Sequence, residues 1–122
     1  MSARILLADD NPAIRDSLRT LLSRQADWTI CGEAENGKMA VEMAERLAPD
    51  LVILDLSMPA INGLDAARRI KKTSPDIQIV LFTMHEFPQL QEEAQKAGVN
   101  ELVAKSAHPS RLLSAMHAIL DG

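Results

Sequence analysis

Two adjacent carboxylates, Asp9 and Asp10, close the stretch LLADD at residues 6–10. A third, Asp55, closes LVILD at 51–55. Thr83 closes IVLFT at 79–83, and Lys105 closes LVAK at 102–105. Each of these polar residues ends an apolar run. Two unit charges about 4 Å apart repel by about 1 kcal/mol in water, and by about 4 at the effective dielectric near a protein surface. A like-charged pair at the end of a buried run therefore calls for a compensating cation. Carboxylates gathered without His or Cys make an all-oxygen ligand set that suits Mg²⁺, and so small a set leaves coordination places for water or phosphate. Lys105 adds a cationic donor for an anion, and Thr83 a neutral one. A metal, a lysine and a hydroxyl around an aspartate fit phosphoryl chemistry, with Asp55 as the covalent acceptor. The plainer alternative is a structural carboxylate cluster neutralised by Lys105.

For these residues to meet, the elements that carry them must share one edge. Apolar runs at Ile5–Ala8, Trp28–Gly32, Leu51–Leu54, Ile77–Thr83 and Leu102–Ala104 are mostly apolar on successive residues. That pattern predicts parallel strands covered on both faces. Between them lie stripes spaced three or four apart: Ile14, Leu18, Leu21 and Leu22; Ala40, Ala44 and Leu47; Leu64, Ala67 and Ile70; Leu90, Ala94 and Ala97; Leu112, Met116 and Ile119. Pro12 suits a first helical turn, Pro49 and Pro75 fall after helices, and Gly98 stands where a helix-ending glycine belongs. The reading is one (βα)₅ domain over residues 1–122, a three-layer α/β/α sandwich around a doubly wound parallel sheet. Sites in such sheets form at the carboxyl ends of the strands. Asp10 and Asp55 meet only if strands one and three are neighbours, which selects the strand order 2-1-3-4-5 over 3-2-1-4.

The bulk composition excludes several classes. The chain has 122 residues, 47% of them hydrophobic and 25% charged, with a net charge of −4. That is enough for one core. Only Trp28, Phe82 and Phe87 are aromatic and no basic stripe appears, which argues against this segment binding nucleic acid itself. The single Cys31 reads as a small buried hydrophobe and fits a reducing cytosol. No apolar run approaches a membrane span, and no signal segment follows Met1. Ser57 stands where a haloacid-dehalogenase-type phosphatase needs a second Asp. The loop after strand one lacks the hydroxyls of a flavin-phosphate cradle. No GxxxxGK[ST], GxGxxG or GxSxG occurs.

Taken in order, ILLADDNPAIR, PDLVILDLSMPAINGLDAARRI, IVLFTMHE and AGVNELVAKS span residues 4–106 and resemble the receiver domains of two-component response regulators. TMHE and KSAHPSRLLSAMHAIL are similar to the NarL/LuxR-type transcriptional regulators. The resemblance implies a flavodoxin-like fold with Asp55 as the phosphorylated residue. It implies Mg²⁺ bound by Asp10, Asp55 and the Ser57 backbone carbonyl, with Asp9 acting through metal-bound water. Thr83 and Lys105 would contact the phosphoryl group; Ser57, Met84 and His85 are candidates to flank it, with His85 reading equally as a solvated loop histidine. Pro59 and Gly63 correspond to loop residues after the phosphorylated strand. The implied partner is a sensor histidine kinase, in the cytoplasm, with a homodimer on phosphorylation. DNA would be bound only through a helix-turn-helix domain following Gly122. The implied role is a switch with phosphotransfer and autodephosphorylation chemistry rather than an enzyme. The alternatives are a stand-alone single-domain phosphotransfer regulator and an interaction module that is never phosphorylated.

The sequence departs from the receiver pattern at three places. Leu102 replaces an aromatic residue that in many receivers turns inward with the threonine, leaving Thr83 and Leu102 as switch candidates. Met84 replaces a small residue. Ser106 replaces a proline, which makes a cis bond after Lys105 costly. His108, His117 and the basic stretch RRIKK (68–72) read as solvated surface, the methionines largely as gap-fillers, and Gln91, Gln95 and Arg111 as output-face candidates.

Overall fold

A computed structural model describes residues 2–85 and 88–121; Phe87 and Gly122 lie outside the described residues. The chain alternates β1 (Ala3–Ala8), α1 (Pro12–Ser23), β2 (Trp28–Ala34), α2 (Gly37–Leu47), β3 (Leu51–Leu54), α3 (Gly63–Thr73), β4 (Gln78–Thr83), α4 (Leu90–Lys96), β5 (Glu101–Ala104) and α5 (Pro109–Asp121). All strand pairs are parallel, in the order β2-β1-β3-β4-β5. This is the expected flavodoxin-like, doubly wound α/β/α sheet, and β1 and β3 are neighbours as the carboxylates require.

Side chains alternate between the two faces of each strand, so successive apolar residues feed two separate cores. Leu6, Ala8, Val52, Leu54, Ile79 and Leu81 pack with α2, α3 and α4. Ile5, Leu7, Ile53, Val80 and Val103 pack with α1 and α5. The helix stripes supply the other half: Leu18 and Leu22, Ala40 and Ala44, Leu64, Ala67 and Ile70, Leu90 and Ala94, and Leu112 and Met116 are all buried. Each fully buried Leu or Ile contributes about 1.5–3 kcal/mol relative to exposure.

β3 runs as read, and the other strand boundaries shift by one or two residues from the sequence reading, by two at the start of β1 and the end of β2. Between these two strands the register passes from Ile5↔Ile30 to Leu6↔Gly32, so Cys31 is an extra residue in a bulge. Cys31 is half-buried instead of fully buried, as are its neighbours Ile30, Gly32 and Glu33, because β2 is an edge strand. Ile14, Leu21 and Ile119 are also only half-buried, at the margins of their stripes. Met84 departs furthest from the gap-filling role, being 68% exposed.

Three helices start on asparagine caps. Asn11, Asn36 and Asn62 accept hydrogen bonds through their side chains from the backbone N–H of Ala13, Met39 and Asp65. The loop between β3 and α3 is held by two close backbone approaches. A Cβ on Gly63 would lie 2.2 Å from the Asp55 carbonyl oxygen, and one on Gly37 would lie 1.9 Å from that of Ile61. Between them Ala60 takes φ 71° in a three-residue turn, with Ile61 N–H donating to the Pro59 carbonyl at 2.9 Å. This loop carries Ser57 and sets the backbone beside Asp55.

Gly63→Ala is accordingly expected to destabilise the domain by about 3 kcal/mol, lowering Tm by about 10 °C. Thermal unfolding followed by circular dichroism checks this; an unchanged Tm would refute the contact.

Candidate functional site

The sheet ends where its apolar residues end, and the hydrogen-bond ladder runs one step further. Asp9 N–H donates to the Ala34 carbonyl at 3.0 Å, Asp55 N–H to that of Ala8 at 2.9 Å, and Lys105 N–H to that of Thr83 at 2.9 Å. These bonds fix the first residue after β1, β3 and β5 along one edge. Thr83 is the last residue of β4 on the same edge. Asp9, Asp55 and Thr83 are 2%, 6% and 1% exposed, whereas Asp10 is open to solvent.

Lys105 reaches across this edge. Its Nζ lies 2.7 Å from Asp9 Oδ2 and 3.3 Å from Asp55 Oδ1, with its side chain 8% exposed. Asp9 Oδ1 accepts from Asn11 N–H at 2.9 Å, so both Asp9 oxygens are engaged. Carboxylate oxygens of Asp9, Asp10 and Asp55 fall within 4.8 Å of one another. Burial pushes the Asp55 carboxyl above its ordinary pKa, and the Asp9 charge pushes it further. The Lys105 ammonium and the Ser57 backbone N–H oppose this without cancelling it.

Three carboxylates thus face one ammonium. The donor set is all oxygen and the exposed Asp10 carboxylate stands at the solvent side, so these residues fit a hard divalent cation. Such an ion would offset the charge that Lys105 leaves uncompensated.

The other sequence-predicted residues take distinct places. Thr83 Oγ1 accepts from His85 N–H at 3.0 Å, which leaves the hydroxyl proton free to donate. Met84 and His85 are exposed beside it, and Ser57 is exposed in the β3–α3 loop. Leu102 is half-buried, opposite Leu81 in the β4–β5 register and against the α2–α4 side of the core. His108 is a surface residue as read, and its Nδ1 accepts from Ser110 N–H at 3.1 Å at the start of α5. His117 is exposed but tilts over Trp28 with ring centroids 4.4 Å apart. Arg15 was not singled out by sequence, and Glu33 only as the end of the second strand, without a site role; the two form an ion pair behind Asp9. Only the placement of α1 against the end of β2 reveals them.

A parallel sheet in this order, with carboxylates, a hydroxyl and a lysine along its carboxyl edge, defines the receiver class of flavodoxin-like domains. The comparisons agree: residues 5–117 match the response regulator receiver domain, and the chain belongs to that family. It is 38% identical over 120 residues to the nitrate/nitrite response regulator protein NarL of Escherichia coli K12, covering 98% of this chain and 56% of NarL. It is 34% identical over 119 residues to the chemotaxis protein CheY of Thermotoga maritima, covering 98% of both. A LuxR-family two-component response regulator from Aurantimonas sp. SI85-9A1 superposes with a TM-score of 0.95 at 34% identity, over 100% of this chain and 87% of that one. The chain is of the NarL/LuxR type, and it spans a little over half the length of NarL.

Two outcomes follow for the metal-free protein. Lys105→Met leaves Asp9 and Asp55 buried without a cation, and is expected to cost about 3 kcal/mol in urea unfolding. The raised pKa of Asp55 means the folded chain holds its proton to higher pH than the unfolded chain does. Its stabilising contribution is therefore full below the ordinary aspartate range, about pH 4, and is lost as pH rises through the folded pKa. Asp55→Asn should unfold at higher Tm than wild type at pH 7, with the difference shrinking toward pH 4. Scanning calorimetry across that range checks the sign, and a constant difference would refute it.

Proposed function

We propose that this domain is the phospho-accepting switch of a two-component response regulator. An Asp55 carboxylate oxygen bonds to the phosphorus of a phosphohistidine on a sensor histidine kinase. The N–P bond breaks, its electron pair stays on the imidazole nitrogen, and that nitrogen takes up a proton. Reversal is by water: its oxygen bonds to phosphorus, the Asp55 O–P bond breaks, and phosphate leaves. The observation that carries this reading is the Lys105 ammonium bridging buried Asp9 and Asp55, with the third carboxylate, Asp10, open beside them.

Asp10, Asp55 and the Ser57 backbone carbonyl would hold Mg²⁺, with Asp9 acting through metal-bound water. When bound, the ion neutralises phosphoryl oxygens and so lets an anionic donor approach anionic residues. Lys105, already 3.3 Å from Asp55, pairs with the transferred group. The Thr83 hydroxyl donates to it and thereby leaves its resting position. Exposed Ser57, Met84 and His85 line the rim from which water attacks.

The switch rests on Thr83 and on a repacking of Leu102 in place of an aromatic rotation, since no tyrosine is present. Output is transcription, through a DNA-binding domain of the kind that NarL/LuxR-type regulators carry, with a homodimer on phosphorylation. The setting is the cytoplasm; among the described residues no helix is long and apolar enough to cross a membrane. The role is signalling, not turnover of a metabolite.

Incubation with a small acyl phosphate and Mg²⁺ should add one phosphoryl group by mass spectrometry. Chelation of the metal should prevent it, and Asp55→Asn should abolish it. No added group, or one that survives Asp55→Asn, overturns the reading. Light scattering on the same sample tests the dimer: the mass should double, and an unchanged mass removes that step.

A further inference from the structure

Asp9 is held at every polar atom. Its N–H donates to Ala34, Oδ1 accepts from Asn11 N–H, and Oδ2 pairs with Lys105. Its backbone carbonyl accepts from Arg15 Nη1 at 2.6 Å. That carbonyl belongs to the peptide linking Asp9 to Asp10, just past the end of β1, where no strand neighbour remains to hold it. The plane of this peptide decides which way each carboxylate departs: Asp9 inward to Lys105, Asp10 outward to solvent.

Arg15 is itself oriented. Its Nε lies 3.1 Å from Glu33 Oε1, and the two side chains are only 16% and 28% exposed. The second Glu33 oxygen, Oε2, is 2.9 Å from Arg19 Nε, one helical turn further along α1, and Arg19 also pairs with Asp16. Glu33 stands in β2, whose register sets Leu7↔Glu33 and Ala8↔Ala34 beside the site. A planar guanidinium can serve a carboxylate and a carbonyl at once in fixed geometry, which an ammonium cannot.

Within the reading that Asp10 and Asp55 hold a divalent cation, on which this inference rests, we propose that Arg15 is a positioning residue for that cation site. Held by Glu33, it locks the Asp9–Asp10 peptide so that the Asp10 carboxylate is presented to the ion. Arg15 touches neither the ion nor the phosphoryl group; it acts through the backbone carbonyl of Asp9.

Position and charge give opposite signs here. By Coulomb's law alone, removing a cation beside a Mg²⁺ site tightens Mg²⁺ binding. If Arg15 positions Asp10, its loss weakens binding, and lost outer-shell partners cost metal sites about 10–100-fold in affinity. Calorimetric Mg²⁺ titration of Arg15→Met should give a dissociation constant about tenfold or more above wild type. The Mg²⁺ midpoint for labelling by an acyl phosphate should rise in parallel, while the rate at saturating Mg²⁺ stays within about twofold. Arg15→Lys keeps the charge but loses the fork, and should fall between the two. In metal-free protein both variants should shift the Asp10 backbone amide resonance.

Unchanged or tighter Mg²⁺ binding in a folded Arg15→Met overturns the proposal. If that variant does not fold, wild-type affinity in Arg15→Lys overturns it, as does an unmoved Asp10 amide. A wild type that neither binds Mg²⁺ nor takes a phosphoryl group overturns the cation reading instead. The amide shift separates the two failures, because it reports the peptide anchor without metal.

Discussion

Three carboxylates held against one ammonium at the end of a sheet form the constraint around which this domain is built. Asp9 and Asp55 are buried with Lys105 between them, and Asp10 stays in water. Burial of the two aspartates makes their mutual repulsion strong, and Lys105 offsets only part of it. The cluster is therefore a place where a further cation would be stabilised. Everything nearby serves to keep the charges there: the ladder bonds that run past the strands, the Asn11 turn, and the close passage of Gly63 over the Asp55 carbonyl.

The scaffold separates stability from this strain. Both faces of β1, β3 and β4 are covered by apolar side chains, and the two cores together anchor all five helices. Asp9, Asp55 and Lys105 lie one position past their strands and Thr83 on the last position of β4, at the edge of those cores. A protein with this division can tolerate an unfavourable charge cluster at its edge, because the two cores supply most of the stability and Lys105 offsets part of the repulsion.

Much of this was legible before any coordinates. The apolar runs are local patterns, and a strand buried on both faces shows itself in successive residues such as Leu51–Leu54. The helix stripes follow the same logic, and Asn11, Asn36 and Asn62 are local cap signals at the starts of their helices. Less legible were features set by contact between distant segments. The bulge at Cys31 depends on how β2 meets β1. The crowding at Gly37 depends on the loop after β3. The cap made by His108 depends on its rotamer.

By itself, the sequence determined the alternation of strands and helices, the residues at each carboxyl end and, through the need for Asp10 to meet Asp55, the strand order. These depend on short-range periodicity and on a single requirement of charge. Only the tertiary structure decided how the cluster is wired. It put Lys105 more closely on Asp9, 96 residues away along the chain, than on Asp55. It turned Asp9 inward and Asp10 outward, and it brought Arg15 and Glu33 behind them. Such choices turn on tenths of an ångström between side chains from separate elements, and no local pattern encodes a distance across a sheet.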